Sequence, residues 1–566
     1  MYLRRGLINT TCPKKSRVNE FDNFITRSYS KSSKKRDGVF VLLSFLNGLS
    51  YMSGNKQTSV STHTRLLNGE PVLISGGMGI WVSNWHMSRI VSMLGGMGIV
   101  SGPALEIVYV RLLQLGDKGG HVRRAFKELT VRIPALAAPL LRIVREYFIE
   151  GGKAATAPYK SAPAAGLNRC GGHGNVSLWE PGRDYQALTI AANFAEVWLA
   201  KEGHDGLIGI NYLYKAERPL PWGLYGAMLA GVDYVAIGAG SPAEIPALID
   251  KLSRHADAEL PMHVRGVTSS DGEFALRISP RALRGDAAPI AKPKFLAIVS
   301  SYALASSLAE NPQTRPHGFI VEGAVAGGHN APPSKKTFDT SGEPTVVYTK
   351  EDTIDIAAIA GLGLPFWLAG AFGSPQGLQQ ALEMGAAGVQ FGTVAALSAQ
   401  SGLTNEIRAA ALELLAAGSL KVKTDAIASP SGFPFKIAQI AGTLSEKAVY
   451  ESRRRRCDVG YLLVAYLTPQ GGIGFRCPAE DINAFTCKGG KLRNTKGRVC
   501  ICSGLLAATG LGQYWPDTGA EPPLVTLGEY LNDARKLLLE KLAVGQRFYT
   551  IGRTLHYIAA GMMMKK

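Results

Sequence analysis

The sequence predicts an α/β fold built on a closed parallel (β/α)8 barrel of the TIM type. Three observations predict it. Short apolar runs at 318–322, 365–369 and 388–391 read as strands buried on both faces. Each ends in glycines or a polar residue, and helical patterns lie between them. In such barrels the strand ends carry the chemistry.

The elements follow in order. Pro71 to Ser75 reads as the first strand, with Gly76-Gly77-Met78-Gly79 as its turn. Ser83 to Leu94 reads as a helix that Gly95-Gly96 ends, and Met97 to Ser101 fits strand two. Helical patterns fill roughly 105–116, 120–129 and 134–150. A Gly/Ala/Pro-rich stretch follows to Gly174, and Gly171-Gly172-His173-Gly174 within it suits a flexible linker better than a phosphate loop. Tyr185 to Lys201 is an amphipathic helix, and Leu207 to Asn211 is a buried strand ending in a carboxamide. Leu220 to Gly231 reads as helix and Asp233 to Gly238 as strand four. His263 to Ser279 resembles a hairpin insertion. Phe295 to Ser300 supplies strand five, Tyr302 to Ala309 its helix, and Phe319–Glu322, Pro365–Ala369 and Gly388–Phe391 bring the count to eight. Ser374-Pro375 sets an N-cap beside a proline at the first helical position.

The domain division is therefore 1–65, a basic leader; 66–400, the barrel, with insertions near 104–205, 255–292 and 330–350; and 401–566, a helical extension bearing cysteines. The 330–350 loop, rich in Pro, Lys, Thr and Gly, is placed to cover an active site.

Gly370 and Gly392 follow adjacent strands. Glycines there suit plain turns, but the pair at this spacing favours backbone N–H groups gripping a phosphate. His329 follows Gly327 and Gly328 at another strand end, and its imidazole can exchange protons near neutral pH. Taken alone it is as readily a hydrogen-bonded structural histidine.

The Gly327-Gly328-His329 turn, the Gly370-Ala371-Phe372-Gly373 turn and the Val389-Gln390-Phe391-Gly392-Thr393 ending together resemble the nitronate monooxygenase (2-nitropropane dioxygenase) family. The resemblance covers 71–400 well. It implies an FMN-dependent barrel, related to the FMN-dependent enoyl-acyl-carrier-protein reductases. It implies that Gly370, Ala371, Gly392 and Thr393 hold the FMN phosphate and that Gly77 and Met78 run beneath the flavin. It implies that Asn211 meets the pyrimidine edge and that His329, beside Gly328, is the catalytic base or proton donor. Two departures stand out: Val325 occupies a usual glutamate position, and Ala371 a usual second glycine. The activity implied is oxidation of alkyl nitronates with O2. The alternatives are reduction of an enoyl thioester by NAD(P)H, with an acyl-carrier partner, or a flavin-free barrel serving as a binding scaffold.

Composition sets further bounds. The 566 residues exceed one ordinary domain, and no run reaches the ~18–20 apolar residues of a membrane span. The net charge of +18 is not gathered in a nucleic-acid motif. Within the first fifty residues, ten Lys/Arg stand against three Asp/Glu, as in an organellar transit peptide, but Val39 to Leu49 has the length of a signal-peptide core. Location is thus left open between cytoplasm and organelle. Seven cysteines, an odd number in a long chain, argue against a secreted disulfide scaffold. Cys457, Cys477, Cys500 and Cys502 offer soft ligands for zinc or an iron–sulfur cluster, but without a Cys-x-x-Cys pair reduced thiols are favoured and no metal is assigned. The terminal helices, Leu527 to Leu542 and Arg547 to Ala560, are expected to pack on the barrel or on a second copy in a homodimer.

Overall fold

The computed structural model describes residues 66–563, so the leader expected at 1–65 lies outside it. Eight parallel strands close a barrel: β1 (Leu73–Ser75), β2 (Met97–Ser101), β3 (Ile208–Leu213), β4 (Tyr234–Gly238), β5 (Lys294–Val299), β6 (Gly318–Glu322), β7 (Phe366–Ala369) and β8 (Gly388–Phe391). Each strand pairs with its sequence neighbours, and β1 with β8 closes the ring. The expected strands are all present within a residue or two.

Local chemistry sets the helix starts. Asn84 Oδ1 accepts from Met87 N at 3.0 Å to cap Trp85–Met93. Ser374 Oγ accepts from Gly377 N at 3.0 Å, with Pro375 at the first position of Pro375–Glu383.

The barrel interior is filled by Ile74, Met97, Ile99, Tyr234, Leu296, Ile320 and Trp367, a packed core rather than a pore. Trp367 Nε1 donates to Pro71 O at 2.6 Å across the barrel floor. Beneath it Glu70 accepts from Tyr234 OH (2.9 Å), Lys294 Nζ (2.7 Å) and His317 Nε2 (2.8 Å). With the floor sealed in this way, the open end of the barrel lies at the strands' C-termini.

Two insertions differ from expectation. Residues 167–181 are not a linker. Leu167–His173 and Val176–Pro181 form a hairpin, which joins Glu273–Ile278 and Ala258–Pro261 in a four-stranded sheet. Glycine content hid the first strand: the register slips between Arg169 and Gly171, a bulge at which Gly171 takes φ +153°. The hairpin expected at 263–279 does not form: Glu273–Ile278 pairs antiparallel with Ala258–Pro261 in this sheet, while Val264–Arg265 pairs with Val464–Leu467 of the extension. The helices Leu105–Gln114, His121–Arg132 and Ala137–Tyr147 pack on Arg183–Lys201 as a small bundle.

The extension combines helices with short strand pairs, among them Val422–Asp425 with Phe435–Ala438 and Val464–Leu467 with Ile473–Arg476. Its last helix, Ile551–Ala559, packs on Trp85–Met93 and on Pro375–Glu383, so the C-terminus binds the barrel wall. No described helix is long and apolar enough to cross a membrane.

Candidate functional site

A cavity of about 860 Å³ opens at the C-terminal ends of the strands. That lies within the roughly 300–1,000 Å³ of small-molecule sites. Gly77, Met78, Asn211, Gly328, His329, Gly370, Ala371, Gly392 and Thr393 all line it, so the structure brings every expected site residue to one place.

The turns after β7 and β8 lie side by side on the rim, because the two strands pair. Gly370 has φ +84° and Ala371 φ +66°, both left-handed. Among the described residues, the amides of Gly370, Ala371, Gly392 and Thr393 donate to no protein acceptor. These residues are exposed or partly buried, and four neighbouring N–H groups with no protein acceptor on one rim suit an anion. Thr393 Oγ1 accepts from Gly528 N at 2.9 Å, which leaves its O–H to donate.

The floor is made by the turn after β1. Gly76 N bonds to Phe391 O at 2.9 Å, and Met78 N is spent on Ser83 Oγ at 3.1 Å. Met78 therefore offers its thioether, not its amide. Asn211, on β3, has a buried Oδ1 with no partner. An orphaned buried acceptor costs about 1–3 kcal/mol, which a donor on a bound ligand would relieve. Gly328 lines the cavity, but its N–H is spent on Thr526 Oγ1 at 2.8 Å, so its contact with a ligand is limited to its Cα.

His329 sits where the extension returns. Asn330 N bonds to Pro434 O at 3.0 Å and Lys436 N to Gly328 O at 2.9 Å, which lays 434–436 along 328–330. Phe435 packs edge-on to the imidazole with centroids 4.8 Å apart. His329 Nε2 is 2.7 Å from Ser429 Oγ. The ring reaches the cavity but is otherwise enclosed by protein. Burial first, and the nearby Lys215 charge second, hold its pKa well below the usual imidazole value, so it is neutral at pH 7.

Several lining acids were missed, and Glu322 is the one at a barrel-strand end. Glu322 ends β6 and lines the cavity, where burial pushes its carboxyl up to about 7. The signal was present, since an acidic residue closes the otherwise apolar run Phe319-Ile320-Val321. Tyr461 and Cys502, from the extension, also line the wall; Tyr461 carried no sequence signal, and Cys502 was singled out only as a soft metal ligand.

The four cysteines meet around a separate small cavity of about 10 Å³. Hydrogen bonding from Cys457, with Arg453 nearby, draws the Cys500 thiol down to about 6, while burial raises Cys477 to about 12. Among the described residues no group of three or more His, Cys, Asp or Glu has an arrangement that would hold a metal ion.

No family model matches the chain, and no curated protein sequence does. Solved structures similar to it include FabK from Thermotoga maritima, at 12% identity over 87% of this chain and 92% of that one, with a TM-score of 0.41. A nitroalkane oxidase from Streptomyces ansochromogenes aligns at 12% identity over 87% and 95%, with a TM-score of 0.40. The enoyl reductase domain of MlnA from Bacillus amyloliquefaciens aligns at 11% over 68% of each chain, with a TM-score of 0.32.

Proposed function

We propose that this cavity binds FMN and that the chain is an FMN-dependent oxidoreductase. The supporting observation is the meeting in one cavity of four unspent rim amides, the orphaned Asn211 Oδ1 and the His329 ring. The residues fit the cofactor. The amides of Gly370, Ala371, Gly392 and Thr393 would hold its phosphate, helped by the Thr393 O–H, and Asn211 would accept from the pyrimidine N–H. When bound, FMN supplies hydride or single-electron transfer, while the protein supplies orientation and electrostatics.

Of the two substrate classes implied by the resemblance, the cavity favours an enoyl thioester, reduced at the expense of NAD(P)H and delivered on an acyl carrier. No lysine or arginine stands among the described lining residues to meet a nitronate anion. Groups able to carry a proton do line it, His329 and Glu322 at strand ends among them, and reduction of a carbon–carbon double bond needs a proton as well as a hydride. His329 would hold that proton beside the substrate α-carbon. Nitronate oxidation with O2 is the second reading, favoured by one observation: an imidazole kept neutral at pH 7 suits a base that takes an α-proton.

The test uses the purified full chain. The expected result is a flavin visible spectrum, bleached anaerobically by NADPH and restored by crotonyl thioester. Turnover of nitroethane nitronate with O2 in place of this cycle would overturn the enoyl reading. Colourless protein without FMN affinity would overturn both, leaving the flavin-free scaffold.

A further inference from the structure

Behind His329 runs a chain of hydrogen bonds that leaves the cavity. His329 Nε2 lies 2.7 Å from Ser429 Oγ, Ser429 Oγ lies 2.8 Å from Ser431 Oγ, and Lys215 Nζ donates to Ser431 Oγ at 2.9 Å. Lys215 stands two residues past β3, and its ammonium also lies 4.4 Å from the centroid of the Phe433 ring. Neither serine nor the lysine lines the cavity. The chain therefore reaches the imidazole from its protein side.

The ammonium gives the chain a starting direction, since it can only donate. With Ser431 Oγ accepting from it, the arrangement that runs one way has the Ser431 O–H donate to Ser429 Oγ, which also accepts from Ser431 N at 3.3 Å, and the Ser429 O–H donate to His329 Nε2. Nε2 is then an acceptor, and the one proton of the neutral ring sits on Nδ1. Which nitrogen of a histidine carries the proton is set by the bond the other makes.

We propose that Lys215 is a positioning residue that, through Ser431 and Ser429, fixes His329 as the Nδ1–H tautomer and so presents a proton donor to the substrate. The inference rests on the proton-donor reading of His329 for its use, but the tautomer itself can be read with or without flavin. Several groups bear on the chain. Burial lowers Lys215 to about 7, so it loses its proton within the working range. Cys502, the thiol beside Lys215, is raised well above its ordinary value by burial and carries no charge there. Arg498 donates to the backbone carbonyl of Ser429 and holds that residue in place. Glu322 lines the same cavity from β6. Above neutrality a lysine without its proton no longer dictates direction, and the Nε2–H form becomes accessible.

The experiment is nitrogen NMR of histidine-labelled full-chain protein, with His329→Gln to assign the signal and circular dichroism to confirm folding. In the wild type the Nδ1–H form should dominate near about pH 6 and give way as pH passes about 7. Lys215→Arg, permanently charged, should keep the Nδ1–H form across the same range. Lys215→Met and Ser429→Ala should lose the preference at every pH, and Ser431→Ala should behave as they do. In turnover, Lys215→Met should lower kcat about tenfold with little change in KM. A His329 tautomer that is the same in the wild type, Lys215→Arg and Lys215→Met would overturn the proposal, whatever the flavin content. Absent flavin with the tautomer shifts intact would overturn the cofactor reading alone.

Discussion

The backbone of Gly77 lies against the side chain of Asn211 so closely that a Cβ on Gly77 would stand 1.9 Å from Asn211 Oδ1. No side chain fits there, because real contacts do not fall below about 3 Å. The turn after β1 and the end of β3 are thus fixed to each other, and the orphaned oxygen is aimed by the contact. Gly77→Ala should push the carboxamide aside and lower FMN affinity by about tenfold or more, at a stability cost of about 1–3 kcal/mol. Fluorescence titration with FMN, beside a thermal melt, checks it. Unchanged affinity would remove Asn211 from the cofactor site.

Glu196 yields a pH prediction. It is fully buried and accepts from Tyr109 OH at 2.8 Å, Trp81 Nε1 at 3.2 Å and Trp85 N. Burial outweighs these bonds and pushes its carboxyl up to about 7 from 4.5. A raised acid pKa means the folded chain prefers the protonated form. Its contribution is therefore complete below about pH 4.5 and is lost as pH rises through about 7. Glu196→Gln should cost about 1–3 kcal/mol at pH 5, with the gap to wild type narrowing towards pH 8. Urea unfolding at several pH values measures that gap, and a constant gap would refute the assignment.

Lys436 presents the opposite case of a buried cation. Its side chain is 0% exposed and donates to Glu529 Oε1 and to Thr424 Oγ1, each at 2.6 Å. Glu529→Gln should cost about 2 kcal/mol, because it strands a buried charge, the loss being moderated by the partial exposure of the carboxylate. Since residue 436 adjoins the Phe435 that packs on His329, the same variant should broaden the His329 NMR signal. A sharp, unshifted signal would show that the ion pair does not support the site.

Ala371 is a non-glycine residue at φ +66°. That conformation costs an L-residue about 1–2 kcal/mol, and glycine returns roughly half of it as lost chain entropy. Ala371→Gly should therefore raise the melting temperature by a degree or two without weakening FMN binding, and Ala371→Val should lower both. A loss of stability in the glycine variant would show that the methyl group packs usefully.

The sequence made the barrel legible because its strands are apolar runs punctuated by glycine, and both signals are local. For the same reason the rim at Gly370 and Gly392 was legible, whereas the roles expected of Asn211 and His329 came from the family resemblance. Glu322 was legible and passed over: one carboxyl ending a buried strand has nowhere to go except the cavity. Lys215 was not legible, since its partner Ser431 is 216 residues away and only the fold joins them. The 167–181 hairpin was misread because glycine and proline content indicates a turn, and cannot show that a strand lies beside it.

The C-terminal extension also decides what can be cut. Gly528 N is tied to Thr393 Oγ1, Glu529 N to Val325 O at 3.0 Å, and Thr526 to Gly328. A clone stopped at residue 400 would keep all eight strands and still lack one wall of its binding chamber. Anyone trimming, tagging or grafting this chain should treat its tail as a structural member of the barrel half, and place fusions where residues 526–529 remain free to dock.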